Sequence, residues 1–490
     1  MFTVVLLCIA CFAYWCRCRQ RAKTAEPPSM PGAWPLVGHL PLFFGDGCKI
    51  WNQMNNALEQ GYKIGGATKI KLGPVTAYVV ADPDDCDTIA TTCMEKDPIY
   101  EFAKPWFGES LFTSSHKIWK NDYKLLNPAF NPIILNTFMG VFNSESRKLV
   151  KEFEKHAGKG RFDLFTYLRH NALNIICMTA LGVGFTDFNL ASDYLHAVKA
   201  IINTLVERVV KVWWHSPYTF AWSKLKKKQD AYLKILHEMS NAVIQKRKSE
   251  IFGNTCVERN FATGTKFKPF VDILLELSVE KGAFSDEQIR EHVDLMLAAG
   301  HETTPNALLF TMVLLGSHPD VQEKIFSEMQ EVLGGDRDVD KMDLSRLQYL
   351  EAVVKESLRL FPIAPLIGRK IERDVKLKNY TLSPGWHRHC IIVICGLHKH
   401  PAWGRDRHEF KPERWLEPSK LPSNLVYAPF GVGRRQCIGK TYAMMSMKTT
   451  LAHVVRSYRI KADHTKMRLS YGITLKPHND GHYISIEKRI

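Results

Sequence analysis

A cysteine on a glycine-rich loop, Cys437, comes directly before a predicted amphipathic helix. The apolar residues of that helix recur at helical spacing, at Met444, Met447, Leu451, Val454 and Tyr458. At a helix N-terminus, the partial positive charge and the unpaired backbone N–H groups favour a thiolate over a thiol. Such a sulfur can be an axial ligand of a metal, although a lone cysteine in a turn is more often a buried structural residue.

The neighbours of this cysteine indicate more than a structural role. Gly431 lets the backbone approach a flat group closely, and Arg435 supplies a fixed cation beside the sulfur. The pattern F-x-x-G-x-R-x-C-x-G is complete, at Phe430, Gly433, Arg435, Cys437 and Gly439. It resembles the haem-binding signature of the cytochrome P-450 superfamily, the haem-thiolate monooxygenases. The resemblance implies haem b, bound without a covalent link, with the Cys437 thiolate as axial ligand of the iron.

A long helix is predicted to begin at Ser285, where Ser285 and Gln288 form a capping box, and to continue to Gly316. Its middle reads AGHETTP at positions 299–305. Glycine weakens a helix, and proline inside one costs about 3 kcal/mol, so this stretch predicts a kink. The simplest interpretation is a packing kink beside a surface glutamate.

The A-G-x-E-T-T part of this helix resembles the oxygen-activating motif of the same superfamily. The resemblance implies that Thr303 steadies dioxygen and Glu302 supplies protons, while Ala299 and Gly300 are small enough to leave room beside the haem. In several relatives of the fatty-acid hydroxylase type, a glutamate stands at the position of Ala299 and forms an ester with the haem. The residues alone allow another interpretation, in which Thr303 bonds back to the Ala299 carbonyl and shapes the kink.

Two further stretches match the superfamily in structural positions. Glu356 and Arg359 would alone be a weak surface pair at i and i+3. The resemblance implies that they form a buried structural network with Arg414. The extended segment that ends at Arg369 is stiffened by two prolines, and the resemblance assigns Arg369 to a haem propionate.

The superfamily pattern W-x-x-x-R, whose two residues bind haem propionates, is only half present. Trp119 matches, but Tyr123 stands at the arginine position and brings a hydroxyl without a charge. Lys124 is the neighbouring cation. Trp119 is therefore expected to contact the cofactor, and Tyr123 and Lys124 remain alternatives for the missing arginine.

Three segments are expected to enclose a substrate. The apolar loop from Asp97 to Leu111 is rich in aromatic residues, and in the superfamily this region covers the pocket, although ordinary core packing is an even alternative. The proline-stiffened segment and a hairpin near the C-terminus are predicted to form opposite walls. The expected lining residues are Trp106, Phe107, Ile363, Ala364 and Ile473.

The first residues predict a membrane anchor. Met1 to Cys16 carries no charged side chain, is followed at once by basic residues, and is shorter than the roughly 20 residues that span a bilayer. A thin endoplasmic reticulum membrane and snorkelling arginines can accommodate it. Basic residues after the apolar stretch favour an uncleaved anchor over a signal peptide and place the rest of the chain in the cytosol. The expected organisation is an anchor at 1–23, a proline-rich hinge at 24–38 and a monooxygenase domain at 39–490.

Charge and composition agree with this organisation. The 490 residues are 45% hydrophobic and carry a net charge of +16. No nucleic-acid-binding motif accompanies the charge, so a membrane surface and an acidic redox partner fit better than nucleic acid. Tryptophans directly before lysines, from Trp213 to Lys228, predict a second membrane contact, with core packing as the alternative.

The periodicity predicts a mainly α fold with a small β-rich subdomain, including a hairpin from Thr68 to Val80, plus the anchor helix. The resemblance extends over nearly the whole chain and is closest to the clan that contains fatty-acid hydroxylases and insect microsomal enzymes. It implies insertion of one oxygen atom into a lipophilic molecule such as a fatty acid, hormone or xenobiotic. Electrons would come from NADPH-cytochrome reductase, with cytochrome b5 as a further partner. A haem-thiolate isomerase or dehydratase and a non-catalytic lipophile-binding haem protein are the alternatives.

Overall fold

The computed structural model describes residues 26–184, 191–252, 267–385, 387–478 and 483–489. The predicted anchor and the first residues of the hinge lie outside these ranges. Within the described ranges, no helix is both long and apolar enough to cross a membrane. From Glu26 onward the expected hinge contains no helix before residue 40, and it is bonded to the sheet, since the Met30 N–H donates to the Lys69 carbonyl at 3.0 Å.

Helices make up most of the described chain, which confirms the mainly α part of the predicted fold class. They are α1 (Leu40–Phe43), α2 (Gly47–Lys63), α3 (Pro83–Thr92), α4 (Lys104–Phe107), α5 (His116–Leu126), α6 (Pro132–Thr137), α7 (Met139–Phe153), α8 (Leu164–Ile176), α9 (Ala191–Val210), α10 (Pro217–Ala221), α11 (Lys224–Phe252), α12 (Phe270–Lys281), α13 (Asp286–Ser317), α14 (Pro319–Leu333), α15 (Lys341–Arg346), α16 (Gln348–Leu360), α17 (Ile394–Lys399) and α18 (Lys440–Ser457). Short 3₁₀ turns connect several of them, including Pro98–Ala103, Val212–Trp214 and Pro412–Leu416.

The strands form small sheets at the periphery of the helices. They are β1 (Ala67–Leu72), β2 (Val75–Val80), β3 (Phe162–Asp163), β4 (Leu366–Arg369), β5 (Val375–Lys376), β6 (Thr381–Leu382), β7 (Arg388–Val393), β8 (Tyr458–Lys461), β9 (Leu469–Tyr471), β10 (Leu475–Pro477) and β11 (Tyr483–Lys488). The largest sheet has the order β1-β2-β7-β4, and its β1–β2 hairpin pairs Thr68 with Val79, as the alternating pattern predicted. The β9–β10 hairpin confirms the predicted turn near the C-terminus.

Helix α13 is the central element of the fold. Its 32 residues begin after Ser285, which caps the helix in a reciprocal pair with Gln288, as predicted. The helix packs against α8, α11, α16 and α18. A Cβ at Gly300 would lie 2.7 Å from Ile176 Cγ1, so only glycine allows α8 to approach this closely. The helix continues through Pro305, and the Asn306 amide donates to the Glu302 carbonyl at 2.6 Å.

Two local predictions were wrong. Tyr458 was assigned to the helix after Cys437, but α18 ends at Ser457 and Tyr458 begins β8. Alternating residues from Tyr458 pair with β11, and this pairing ends the helix. Residues 97–111 were expected to form a loop, yet a 3₁₀ turn and α4 occupy most of this stretch, because Pro98 and Pro105 suit the first turn of a helix.

A buried carboxylate joins α16 to the segment that precedes the cysteine loop. Glu356 accepts two hydrogen bonds from Arg359, at 2.8 Å each, one from Arg414 Nε at 2.8 Å and one from Trp415 Nε1 at 2.9 Å. Arg359 donates its remaining N–H groups to the carbonyls of His398, Arg407 and Glu409. Glu356 and Arg359 are both fully buried, and Arg414 contacts them as the resemblance implied.

We expect Glu356→Gln to lower the free energy of unfolding by about 3 to 5 kcal/mol, because it leaves the buried Arg359 guanidinium without a charged partner. A urea titration of the purified protein measures the loss. Glu417→Gln is the matched control, since Glu417 and its partner Lys420 are exposed. Equal stability of the two variants would contradict a structural role for the network.

Candidate functional site

The cysteine loop has the conformation that its glycines require. The Cys437 N–H donates to the Phe430 carbonyl at 2.8 Å, which folds the loop back on itself before Gly439 caps α18. Gly433 has a φ of +70°, and a Cβ there would lie 2.8 Å from the Ala90 carbonyl oxygen. The signature residues Phe430, Gly433, Arg435, Cys437 and Gly439 therefore lie on one tight turn at the start of a helix.

Cys437 differs from the other cysteines that the structure describes. Six of them are buried, whereas the Cys437 side chain is exposed. Protein nevertheless surrounds the thiol, and this burial raises its pKa, while the Gly439 N–H and the Lys96 ammonium act to lower it. The pKa of the thiol is thus raised overall, whereas the sequence predicted a thiolate. The loss of solvation has a larger effect on this pKa than the N–H groups at the helix terminus. A bound metal cation would itself deprotonate the sulfur.

A cluster of cations lies beside this sulfur. The charges of Arg369 and Arg435 both act on Lys96, and with burial they hold its pKa well below its usual value. Arg369, at the end of β4, and Arg435, in the cysteine loop, are buried, and burial lowers the pKa of each. Each arginine donates to main-chain carbonyls, whereas its Nε has no acceptor among the described residues. Within the described chain none of the three cations forms an ion pair, although the charge of Glu95 acts on Arg435.

Lys96 is the cation that sequence reasoning missed. Of the two predicted substitutes for the missing arginine, Lys124 is exposed, while Tyr123 packs against the Trp119 ring with centroids 5.1 Å apart. Lys96 Nζ instead lies 4.4 Å from the Tyr100 ring centroid and close enough to Arg369 and Arg435 to share their field. Lys96 belongs to none of the motifs described above. Its position directly before the aromatic stretch 97–111 was the one feature of the sequence that could have indicated it.

Trp119, which was expected to contact the cofactor, lies against the same cluster. Its ring is buried on α5, and the Arg435 guanidinium carbon lies 5.0 Å from its centroid. A planar indole, three clustered cations and an accessible sulfur together suit a flat anionic group with a metal at its centre. The residues thus fit haem, with Cys437 as axial ligand and with Arg369, Arg435 and Lys96 as partners of its carboxylates.

The middle of α13 supplies the remaining predicted site residues. Ala299 and Thr303 are exposed although the helix around them is almost entirely buried. The Thr303 hydroxyl donates to the Ala299 carbonyl at 2.7 Å, which is the alternative geometry that the sequence allowed. Its oxygen lone pairs remain able to accept a hydrogen bond.

Glu302, which was expected to supply protons, has a carboxyl with a shifted pKa. Burial raises the pKa of its carboxyl, and Arg169, Lys476 and a hydrogen bond from Thr474 at 3.3 Å act to lower it. The raised pKa brings the group closer to neutral pH, where a carboxyl can both give and take a proton. Thr474 follows Ile473, so the C-terminal hairpin reaches α13 here.

A large cavity of about 380 Å³ lies between α2, the main sheet, α9 and the C-terminal hairpin. Its lining is mostly aliphatic and aromatic and includes Ala364 and Ile473, as predicted. Lys96 also lines it, together with Tyr100, Phe102, His215 and His389. No aspartate or glutamate is among the lining residues, so the cavity suits a lipophilic molecule.

The other three predicted lining residues lie elsewhere. Trp106 and Phe107 stack on each other with centroids 4.4 Å apart and belong to the core, as does Ile363. None of the three is among the residues that line the cavity. Tyr100 and Phe102, which lie one turn earlier in the chain, line the cavity instead. They belong to the 3₁₀ turn, whose side chains point in a different direction from those of α4.

An accessible cysteine on a glycine turn, a buried cationic cluster and a mainly helical fold define the class of haem-thiolate proteins. The comparisons with known proteins agree: a family model described as Cytochrome P450 matches residues 27–481. The chain belongs to the cytochrome P450 family and is a haem-thiolate monooxygenase. Its cofactor is haem with a cysteine thiolate ligand.

Curated relatives cover nearly the whole chain. Human "Cytochrome P450 4V2" is 33% identical over 480 residues, which is 94% of this chain and 90% of the relative. "Cytochrome P450 4c3" of Drosophila melanogaster is 30% identical over 460 residues, covering 90% of this chain and 85% of the relative. "Probable cytochrome P450 4s3" of the same fly is 32% identical over 456 residues, covering 91% and 88%. All three relatives are named as members of cytochrome P450 group 4, and they come from a mammal and an insect. This confirms the predicted clan.

We expect Cys437→Ser to abolish the red-shifted Soret band of the reduced carbon monoxide complex, because a serine oxygen does not replace the thiolate as ligand. An absorbance difference spectrum measures the band. Cys395→Ser, at a buried cysteine away from the loop, is the control and should keep it. Survival of the band in Cys437→Ser would make the ligand assignment wrong.

We expect Lys96→Gln to speed the release of haem, because it removes one of three cations that attract the propionates. Transfer of haem to excess apomyoglobin measures the dissociation rate without any turnover, and we expect an increase of about tenfold, equivalent to about 1.4 kcal/mol. Lys124→Gln removes the same charge from an exposed position and should leave the rate unchanged. Faster release from Lys124→Gln than from Lys96→Gln would reverse the assignment.

Proposed function

We propose that this monooxygenase inserts one oxygen atom from dioxygen into a lipophilic small molecule at the endoplasmic reticulum membrane. The observation that carries the proposal is the 380 Å³ cavity, whose lining is apolar and free of acidic residues. A fatty acid or another extended lipophile, such as a hormone or xenobiotic, suits this lining. The cofactor, when bound, supplies the activation of dioxygen.

Residues of the chain bind the cofactor and transfer protons. Cys437 holds the cofactor, while Trp119, Arg369, Arg435 and Lys96 orient it. Glu302 brings protons toward Thr303 on α13, since its carboxyl has a raised pKa and a hydrogen bond to the C-terminal hairpin. Thr303 passes a proton inward by exchanging its bond to the Ala299 carbonyl for one to the reacting oxygen.

Electrons reach the enzyme from NADPH through a membrane-bound reductase, with cytochrome b5 as a further donor. The strongly positive chain, at +16, suits acidic partners and an anionic membrane surface. An N-terminal anchor at 1–23 and the aromatic segment Trp213 to Lys228 attach the enzyme to the cytosolic face. Trp213, Tyr218 and Trp222 support the second contact, because their large rings are exposed.

Reconstitution tests the function as a whole. The full-length protein, NADPH-cytochrome reductase and NADPH are combined with a panel that includes fatty acids of several lengths, a steroid and a terpenoid. We expect an oxygenated product that depends on NADPH and reductase and incorporates one ¹⁸O atom from ¹⁸O₂. Conversion of a lipid peroxide without reductase, or tight binding of lipophiles without product, would instead favour an isomerase or a binding protein.

We expect Thr303→Ala to leave haem content and substrate binding nearly unchanged while diverting NADPH consumption from product to hydrogen peroxide. The lost hydroxyl removes the proton transfer step but little packing, because Thr303 is exposed. The ratio of product to NADPH consumed is the measurement, and Thr303→Ser, which keeps the hydroxyl, should retain most of it. Loss of haem or stability with an unchanged ratio would show that Thr303 only shapes the helix.

We expect deletion of Met1 to Lys23 to weaken membrane attachment without abolishing it, because the segment Trp213 to Lys228 forms a second contact. Fractionation of the truncated protein on microsomal membranes gives the bound fraction. Changing Trp213 and Trp222 to Ser in the truncated protein should release it further, by several-fold. Equal binding with and without the two tryptophans would remove the second contact.

A further inference from the structure

A second cavity, of about 440 Å³, opens on the surface beside the predicted membrane contact. Its walls combine aromatic and cationic side chains, chiefly Trp213, Trp214, Trp222, Lys211, Lys224 and Lys228. The start of α11 contributes the last two lysines, and the 3₁₀ turn Val212–Trp214 contributes two of the indoles. We call this the lysine–tryptophan cavity. It lies outside the site described above and shares no lining residue with the apolar cavity of 380 Å³.

The cavity carries uncompensated positive charge. Its single acidic lining residue, Glu207, forms an ion pair with Lys211. Lys224 and Lys228 are exposed and have no hydrogen-bond or ion-pair partner within the described part of the chain, whereas their neighbour Lys226 pairs with Asp230 at 2.6 Å. Their spacing of four residues puts them on one face of α11, so their charges act together on the cavity.

The start of α11 is fixed, so these lysines occupy defined positions. The buried Ser223 hydroxyl donates to the Phe220 carbonyl at 2.7 Å and accepts the Lys226 N–H at 3.0 Å. Beneath the opposite wall, Arg208 lies between the Phe102 and Phe220 rings and donates to the Trp214 carbonyl at 3.2 Å. The cavity is therefore built on packed elements rather than on a free loop.

Apolar surface surrounds the charged cavity. Trp222 is 91% exposed and Tyr218 is 82% exposed, and Trp213 contacts the exposed Phe44 ring with centroids 6.3 Å apart. Exposed indoles next to lysines are typical of the boundary between lipid headgroups and acyl chains. A soluble phosphate would use the lysines but leave this apolar rim in water.

We propose that the lysine–tryptophan cavity binds the phosphate of an anionic phospholipid headgroup, with the acyl chains lying along Tyr218 and Trp222. This inference rests on the membrane contact of the proposed function and adds selectivity for one lipid class. Lys224 and Lys228 attract the headgroup, and the indole N–H groups can donate to its oxygens. The bound lipid would lie next to the apolar cavity, because Val212 lines that cavity while the adjoining Trp213 lines this one.

Photocrosslinking tests the site in the intact protein. The full-length chain is placed in phosphatidylcholine nanodiscs that contain a small fraction of photoreactive phosphatidylserine, and labelled peptides are identified by mass spectrometry. We expect labelling of the peptide that contains residues 211–228. Unlabelled phosphatidylserine should compete, whereas glycerol phosphate at equal concentration should not.

A matched pair of variants separates a site from diffuse attraction. Lys224→Gln with Lys228→Gln should reduce labelling by about fivefold for each lysine removed. Lys227→Gln with Lys234→Gln removes the same charge from exposed lysines that do not line the cavity, and should leave labelling unchanged. The reduced carbon monoxide spectrum verifies that both double variants are folded.

Three results would overturn the inference. The two double variants could lose labelling equally, or a phosphatidylcholine probe could label the peptide as strongly as the phosphatidylserine probe. Competition by glycerol phosphate would indicate a site for free anions. These outcomes differ from failure of the membrane contact itself, in which the truncated protein would not bind membranes at all. They also differ from failure of the proposed reaction, because no step of the labelling requires turnover.

Discussion

The buried carboxylate of Glu356 is the interaction on which the rest of the site depends. It is fully buried, and it receives donors from α16, from the 3₁₀ turn Pro412–Leu416 and from the Lys411 N–H at 3.1 Å. Arg359, its nearest partner, also ties down three carbonyls between residues 398 and 409. This segment precedes the cysteine loop in the chain, so the ion pair fixes the backbone that leads toward Cys437. A buried pair of this kind is weak evidence for stability in itself, but it is costly to break.

A second constraint acts around the cofactor. Burial lowers the pKa of Lys96, Arg369 and Arg435, and repulsion from the two arginines lowers the pKa of Lys96 further. A dianionic group bound among them would relieve this repulsion and would in turn be held by it. The same reasoning explains the thiol: the fold raises the pKa of Cys437, and a metal cation lowers it again. The charges of the cofactor would thus balance those of the cationic cluster and of the cysteine sulfur.

The two cavities place the chemistry relative to a membrane. One is apolar and includes Lys96 in its lining, while the other is cationic and is lined by tryptophans. The 3₁₀ turn Val212–Trp214 contributes lining residues to both, so a lipid bound at the cationic cavity would lie next to the apolar one. A lipophilic substrate dissolved in the membrane could then reach the cavity without crossing water.

The sequence by itself determined the features that depend on neighbours along the chain. The capping box at Ser285, the Thr68 to Val80 hairpin, the cysteine loop and the exposed tryptophans are all local patterns, and the structure contains each of them. The resemblance added the partners of Glu356, which local spacing could only suggest as a weak surface pair.

Only the tertiary structure decided which side chains meet across the fold. Lys96 belongs with Arg369 and Arg435 although hundreds of residues separate them, and no periodicity in the sequence marks that proximity. Trp106 and Phe107 have the composition of cavity residues, yet they stack in the core because α4 turns them away from it. Tyr458 leaves the helical pattern because it pairs with Lys488 of β11, a contact that the local apolar periodicity does not show. Apolar periodicity specifies that a side chain is buried, whereas the packing of the elements specifies what it is buried against.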